Sequence, residues 1–204
     1  ASDLQLLYSR AFAANAHTQE QIKNVRGILN GDIKGLKVDT DRRWDFLIAL
    51  TERGAATQAE LDAELASDNT TSGNLFYQSA KAATPNAEAK AYAFNTVLNQ
   101  DAQTSVRSAL VAGFQRPIQR DLLVPFVDLY FDNLLSEWES KSYEGAAKFV
   151  MGMYPSWIIT QATLDKTNAW LNGAGKDAPP VLRKLVKESQ DGVIRALKVA
   201  ALDN

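Results

Sequence analysis

Catalysis needs particular side chains at particular spacings, and this sequence offers few of them. His17 is the sole histidine and there is no cysteine. Disulfides, a thiol nucleophile and a zinc site of the usual Cys/His kind are thereby excluded. A Ser–His pair would have to use His17, whose ordinary setting, between two helical patterns and beside Thr18, is a surface loop. Gly173-Ala174-Gly175-Lys176 suggests a phosphate loop, but the glycine spacing is wrong and Asp177 stands where Ser or Thr should follow. Asn69-Thr70-Thr71 matches a glycosylation acceptor, yet the same residues read equally well as a helix cap. The sequence therefore implies no chemistry of its own: no catalytic residue, no metal ligand and no cofactor is assigned to it.

Two groups of charges remain. The final helical pattern carries Arg183, Lys184, Lys187, Arg195 and Lys198, interrupted by Glu188 and Asp191, which is the pattern of a solvated face. The segment from Gly113 to Asp121 is more distinctive, because two Arg and two Gln meet at a corner between helices. Arg116 and Arg120 could clamp a carboxylate in bidentate fashion, and Gln119 could bond peptide backbone groups. Their bland alternative is to cap the preceding helix and to pair locally with Asp121. Trp44, Trp138, Trp157 and Trp170 read as packing residues rather than as a ligand cage.

The elements that must position these residues are helical almost throughout. Leu4, Leu7, Tyr8, Ala11 and Phe12 form an apolar stripe at i, i+3, i+4, i+7 and i+8, with Asp3 as its expected N-cap. Thr18-x-x-Gln21 and Thr57-x-x-Glu60 are capping boxes, and Gly31 and Gly54 are stop signals. Asp41 opens a helix with Trp44, Leu47 and Ile48 on one face. Thr71 or Ser72 opens the next, Thr84-Pro85 the one after, and Thr104 a short one closed by Gly113. Pro125 interrupts the longest stripe, Leu122 to Leu134, and predicts a kink or a helix start there. Ser142 opens a helix that Pro155 ends, and Pro179-Pro180 opens the last. No segment alternates at period two, so the expectation is an all-α chain of about eleven helices. Paired helix starts recur every 30 to 38 residues, roughly, the spacing of helical-hairpin repeats. The expected architecture is an irregular α-solenoid of antiparallel hairpins, HEAT- or armadillo-like, with an ordinary bundle second. No linker divides residues 1–204, which read as a single domain.

The chain has 204 residues, 46% of them hydrophobic, with 22 basic residues against 24 acidic ones. The slight acidic excess argues against a duplex nucleic-acid partner. No apolar run is long enough to span a membrane. The N-terminus carries neither an initiator Met nor the features of a signal peptide, which suggests a processed or excised piece and a cytoplasmic setting.

Three passages resemble one family. The first joins Ser2-Asp3-Leu4-Gln5-Leu6 and Arg10-Ala11-Phe12-Ala13 to the run from Gly35 to Trp44. The second runs from Gly113-Phe114-Gln115-Arg116-Pro117 through Leu122-Leu123-Val124-Pro125-Phe126 and Tyr130-Phe131 to Tyr154-Pro155-Ser156. The third holds Thr163-Leu164, Thr167, Ala169-Trp170-Leu171 and Pro179 to Val186. Together they resemble the C-terminal helical domain of a bacterial, actinobacterial-type aminopeptidase N, of the zinc metallopeptidase family that includes the endoplasmic-reticulum aminopeptidases. The resemblance implies a curved solenoid that closes over a catalytic domain of the same polypeptide, encloses the peptide chamber and limits substrate size. It places the zinc ligands, in H-E-x-x-H and a distant Glu, outside this chain, so the fragment itself should be inactive. It also implies that Ser2 aligns partway through the family's domain. An apolar face near the first helices should then stand uncovered, open to a crystal neighbour or a dimer partner. The competing reading is a free-standing HEAT-like scaffold that binds a partner protein.

Overall fold

The computed structural model describes residues 3–99 and 101–202. Among them it holds twelve α-helices and one 3-10 turn, and no strand. The helices are α1 (Asp3–Ala14), α2 (Gln19–Asn30), α3 (Thr40–Thr51), α4 (Gln58–Ser67), α5 (Thr71–Ala83), α6 (Ala87–Leu98), α7 (Thr104–Phe114), α8 (Arg120–Leu123), α9 (Phe126–Ser140), α10 (Tyr143–Gly152), α11 (Gln161–Asn172) and α12 (Pro180–Ala200). The 3-10 turn, Pro117–Gln119, lies between α7 and α8. The one helix beyond the sequence expectation comes from Pro125. Lacking an N–H and crowding the preceding turn, it divides the long apolar stripe into the single turn α8 and the full helix α9.

Packing follows a stepping rule. α1 lies on α3, α3 on α5, α5 on α7, α7 on α10 and α10 on α12, while α2 backs α1 and α3, α4 backs α5, α6 backs α5 and α7, α9 backs α10 and α11 backs α12. This is the packing of stacked helical hairpins, in which each unit rests mainly on its neighbours. Buried apolar side chains form two clusters. One joins α1 to α5 around Trp44, Phe46 and Leu50, and the other runs from α5 to α12 around Phe94, Tyr130 and Phe149. They meet at α5, where Ala80 belongs to the first and Ala82 to the second.

Both capping boxes form as expected, with Thr18 accepting from Gln21 N and Thr57 from Glu60 N. Gly31 and Gly54 adopt the left-handed conformation at the ends of α2 and α3. Other boundaries move. Asp39 caps α3, Thr70 caps α5, and Asn86 rather than Thr84 caps α6, because its Oδ1 reaches Ala89 N at 2.8 Å. Asp3 sits inside the first turn of α1 instead of capping it, and Ser2 lies outside the described residues. Thr104 likewise begins α7 without capping it. Gly113 does not close that helix as a cap. It is where α7 approaches α5 so closely that a Cβ would stand 2.0 Å from the Ser79 carbonyl oxygen.

Cations and amides from neighbouring units, rather than local caps alone, satisfy the free carbonyls at helix C-termini. Arg53 donates to Ala14 O and Ala16 O beyond α1, Arg43 to Leu29 O at the end of α2, and Lys141 to Val97 O and Leu98 O at the end of α6. Gln115 reaches Gly152 O and Tyr154 O at 3.0 Å, and Arg183 reaches Leu171 O at 2.7 Å. Cationic donors at the negative end of the helix dipole are favourable, and here each also ties one hairpin to another.

Candidate functional site

The corner between α7 and α8 begins where α7 runs out at Phe114 and Pro117 forces the chain into a 3-10 turn. Around this turn Arg116 reaches Glu52 at the end of α3 and Gln119 reaches the ends of α3 and α5, while Gln115 turns toward the end of α10. Gln119 is 6% exposed, and its Nε2 donates to Glu52 O and Ala83 O, both at 2.7 Å. It joins the ends of α3 and α5. Arg116 is half-buried and its guanidinium lies 3.1 Å from the Glu52 carboxylate. Glu52 is shared, because Arg53 pairs with it from the other side. Burial pulls the Arg116 guanidinium below its ordinary value, with Glu52 opposing that shift and Arg53 adding to it. Arg120 stands exposed on the first residue of α8, and no salt bridge joins it to Asp121.

Arg116 opens into a groove of about 680 Å³ between α1, the end of α3 and the corner. Leu7, Ile48 and Ile118 give it apolar walls, while Glu52, Arg53 and Arg116 supply its charged floor. Two guanidiniums against one carboxylate leave that floor with a positive excess, suited to an anion. Farther along, Arg10 pairs with Asp45 at 2.6 Å, and His17 sits exposed on the rim. Burial raises the Asp45 carboxyl above its usual range, although Arg10 and Arg42 pull it down. Of the residues picked from sequence, Arg116 lines this groove, Gln119 is buried behind it, and Arg120 lies outside its lining.

Lys90 was not legible as a site residue, yet it belongs to the same construction. It is fully buried in the first turn of α6. Its Nζ donates to Ala82 O at 2.7 Å, Phe114 O at 3.2 Å and Gly113 O at 3.3 Å. Burial, then the charge of Arg116, pushes its pKa down to about 7 against the attraction of Glu52. The signal was its register: Lys90, Ala93, Phe94 and Val97 share the buried face of α6.

The remaining motifs have structural explanations. Thr70 Oγ1 accepts from Gly73 N at 2.9 Å as the cap of α5, so the Asn-Thr-Thr run serves a helix start. Gly175 lies flat against Trp170, where a Cβ would meet the indole ring at 2.4 Å, and its carbonyl accepts from Arg183. That contact accounts for a glycine there without a phosphate. Trp44 and Trp170 are buried and Trp138 is packed against the core, whereas Trp157 is 40% exposed. No His, Cys, Asp and Glu group of three or more suited to a metal occurs among the described residues. The donor set thus does not fit a catalytic zinc, which needs three protein ligands. No described helix is long and apolar enough to cross a membrane.

The stripe of α1 faces outward. Leu4, Leu7 and Tyr8 are 57%, 59% and 65% exposed, while Ser9 and Ala13 make the buried side.

Comparison with known proteins adds two findings. The chain is 41% identical over 205 residues to the aminopeptidase N of Streptomyces lividans. That match takes in 99% of this chain and 24% of the relative, so the chain spans about a quarter of the length of the curated relative it matches. The family model described as the ERAP1-like C-terminal domain matches residues 1–195. With nearly the whole helical stack inside that match, the chain belongs to the ERAP1-like C-terminal domain family.

Proposed function

We propose that this chain is the non-catalytic C-terminal part of an aminopeptidase N, whose helical stack encloses the peptide chamber and takes part in choosing substrates. The observation that carries this reading is the 41% identity to an aminopeptidase N along 99% of the chain, within only 24% of that relative. In this reading residues 1–204 form one helical-repeat unit of a larger C-terminal domain, in a cytoplasmic enzyme. Zinc and the residues that remove N-terminal amino acids from peptides belong to the catalytic domain of the same polypeptide. The exposed Leu4, Leu7 and Tyr8 are then a surface for further helices of that polypeptide.

The corner is the peptide-facing part of the wall. Arg116 offers a guanidinium from a floor with excess positive charge, Arg120 offers an exposed cation, and Gln119 holds the corner on the ends of α3 and α5. A peptide carboxylate is the matching ligand, and an amino-acid anilide lacks it. In the full-length enzyme, Arg116→Ala and Arg120→Ala should raise KM for short peptides more than for anilides. Equal effects on both substrate types would sink the peptide-facing role. The 204-residue chain with added zinc should not turn over leucine anilide, and turnover would overturn the non-catalytic reading.

A further inference from the structure

Glu52 is the acid in the charged floor of the groove, and local preference does not explain it. It follows directly on α3, with its N–H bonding Ile48 O at 2.9 Å, so its carboxylate stands at the negative end of that helix. A further negative charge is disfavoured there, and burial disfavours it again. Two cations hold it in place. Arg53 pairs with one carboxylate oxygen, Oε1, and Arg116 lies 3.1 Å from the other. Gln119 fixes the same residue through its backbone, donating to Glu52 O at 2.7 Å.

The two cations are not equivalent. Arg53 is turned inward: its side chain is 6% exposed, and besides Glu52 it donates to Ala14 O, Ala16 O and Ala49 O. Those bonds tie the end of α1 to α3. Arg116 has a side chain 23% exposed, pairs with Glu52, and its Nε finds no partner among the described residues. An anion entering the groove therefore meets Arg116, with Glu52 already on it. Arg53 keeps Glu52 where it is even when Arg116 turns toward the newcomer, so two carboxylates must share one guanidinium.

We infer that Glu52 is a built-in competitor at this corner: it occupies Arg116 in the empty groove and weakens the hold on a peptide carboxylate that binds there. The inference rests on the peptide-facing reading above and adds to it what sets the strength of the grip. Glu52 is a positioning residue, acting through Arg116 and touching no substrate. A weak grip suits an enzyme that removes residues one at a time from the N-terminus. A wall stands at a fixed distance from the catalytic centre, so a peptide held by its carboxylate at Arg116 presents its N-terminus at one length only. After each removal the carboxylate has to leave the corner before the shortened chain can advance, and a competitor for Arg116 speeds that exchange. Two carboxylates flanking one guanidinium lie about 6 Å apart. Their repulsion weakens binding roughly threefold at the dielectric of water and roughly hundredfold at the effective value near a protein surface.

The test uses hexaalanine, as the free acid and as its C-terminal amide, with the full-length enzyme. Glu52→Gln keeps the shape of the side chain and removes its charge. It should lower KM for the free acid, relative to that for the amide, roughly three- to hundredfold. Arg116→Ala should move the same ratio the opposite way. Damaged packing does not tighten binding of the free acid alone, so the direction separates this role from a merely structural one. An acid-to-amide ratio that stays level or rises in Glu52→Gln overturns the inference. If Arg116→Ala still raises that ratio, the peptide-facing reading survives; if neither variant distinguishes acid from amide, that reading fails as well. Should Glu52→Gln not fold, NMR of the unmodified 204-residue chain with carboxyl-labelled glutamate decides. The Glu52 signal should shift on adding the free acid and stay in place with the amide. A Glu52 signal that ignores both, while Arg116 resonances respond to the free acid, overturns the inference, and Arg116 resonances that ignore both remove the peptide-facing reading with it.

Discussion

Gly113→Ala and Gly192→Ala are chemically the same change and should move stability in opposite directions. Both glycines lie in helices with no positive φ, so helix propensity alone favours alanine at each by about 0.5–1 kcal/mol. Their surroundings differ. At Gly192 on α12 a new Cβ meets nothing within 4 Å. At Gly113 it would stand 2.0 Å from Ser79 O, 2.9 Å from Ser79 C and 2.7 Å from Ala82 Cβ. Against an ordinary contact near 3.4 Å the backbone oxygen is about 1.4 Å too close, far inside the repulsive wall. The obstacle is the backbone of α5, so two packed helices must separate. Overpacking of this kind costs about 3 kcal/mol, and the propensity gain offsets about 1, leaving a loss of about 2 kcal/mol. For a chain of this size each kcal/mol moves Tm by roughly 2–4 °C. Thermal melts followed by circular dichroism should therefore show Gly113→Ala falling roughly 4–8 °C and Gly192→Ala rising roughly 1–4 °C. If Gly113→Ala melts at or above the parent chain, the close approach of α5 and α7 is not the reason for that glycine. If Gly192→Ala falls with it, the propensity argument fails instead.

Trp44→Phe should destabilise more than the loss of apolar area explains. Trp44 is fully buried and its Nε1 donates to Asp68 Oδ2 at 2.8 Å, so the shorter ring leaves a 7% exposed carboxylate short of a donor. A loss of about 1–3 kcal/mol in urea unfolding is expected, and a midpoint unchanged from the parent would refute it. Asp45→Asn should leave stability at pH 7 equal or higher, although it breaks the ion pair with Arg10. Burial raises the folded-state pKa of Asp45, so the protonated form favours folding and that contribution is lost as pH rises through the raised value. The Asn variant should gain most relative to the parent above this range and converge with it in acid. A clear fall in the urea midpoint at neutral pH would contradict the sign.

Much of the helical layout could be read from local rules. Thr18 with Gln21 and Thr57 with Glu60 are self-contained caps, since all the atoms involved lie within four residues. The boundaries that moved were settled by competition between neighbours. Thr84 and Asn86 both could cap α6, and Asn86 holds the position because its oxygen meets Ala89 N. At the corner, sequence reading found Arg116, Gln119 and Arg120 as a group of hydrogen-bonding residues. It could not divide their tasks, because Glu52 and Ala83 lie 67 and 36 positions away from Gln119. Lys90 within α6 and Glu52 just past α3 carry no signal in the sequence, because a charged residue in or beside a helix is ordinarily solvated.

Composition and periodicity by themselves determined that the chain has no thiol and one imidazole and is built from helices without strands, as its described residues are. Those properties follow from residue identity and from spacings of three and four, which any helix converts into a face. The tertiary structure alone decided what each charge does. Arg53, Lys90, Gln115 and Gln119 close the ends of other helices, and Arg116 shares Glu52 at the floor of a groove. A helix exposes free carbonyls at its C-terminus whatever its sequence, and only the arrangement of units determines which distant side chain arrives to bond them.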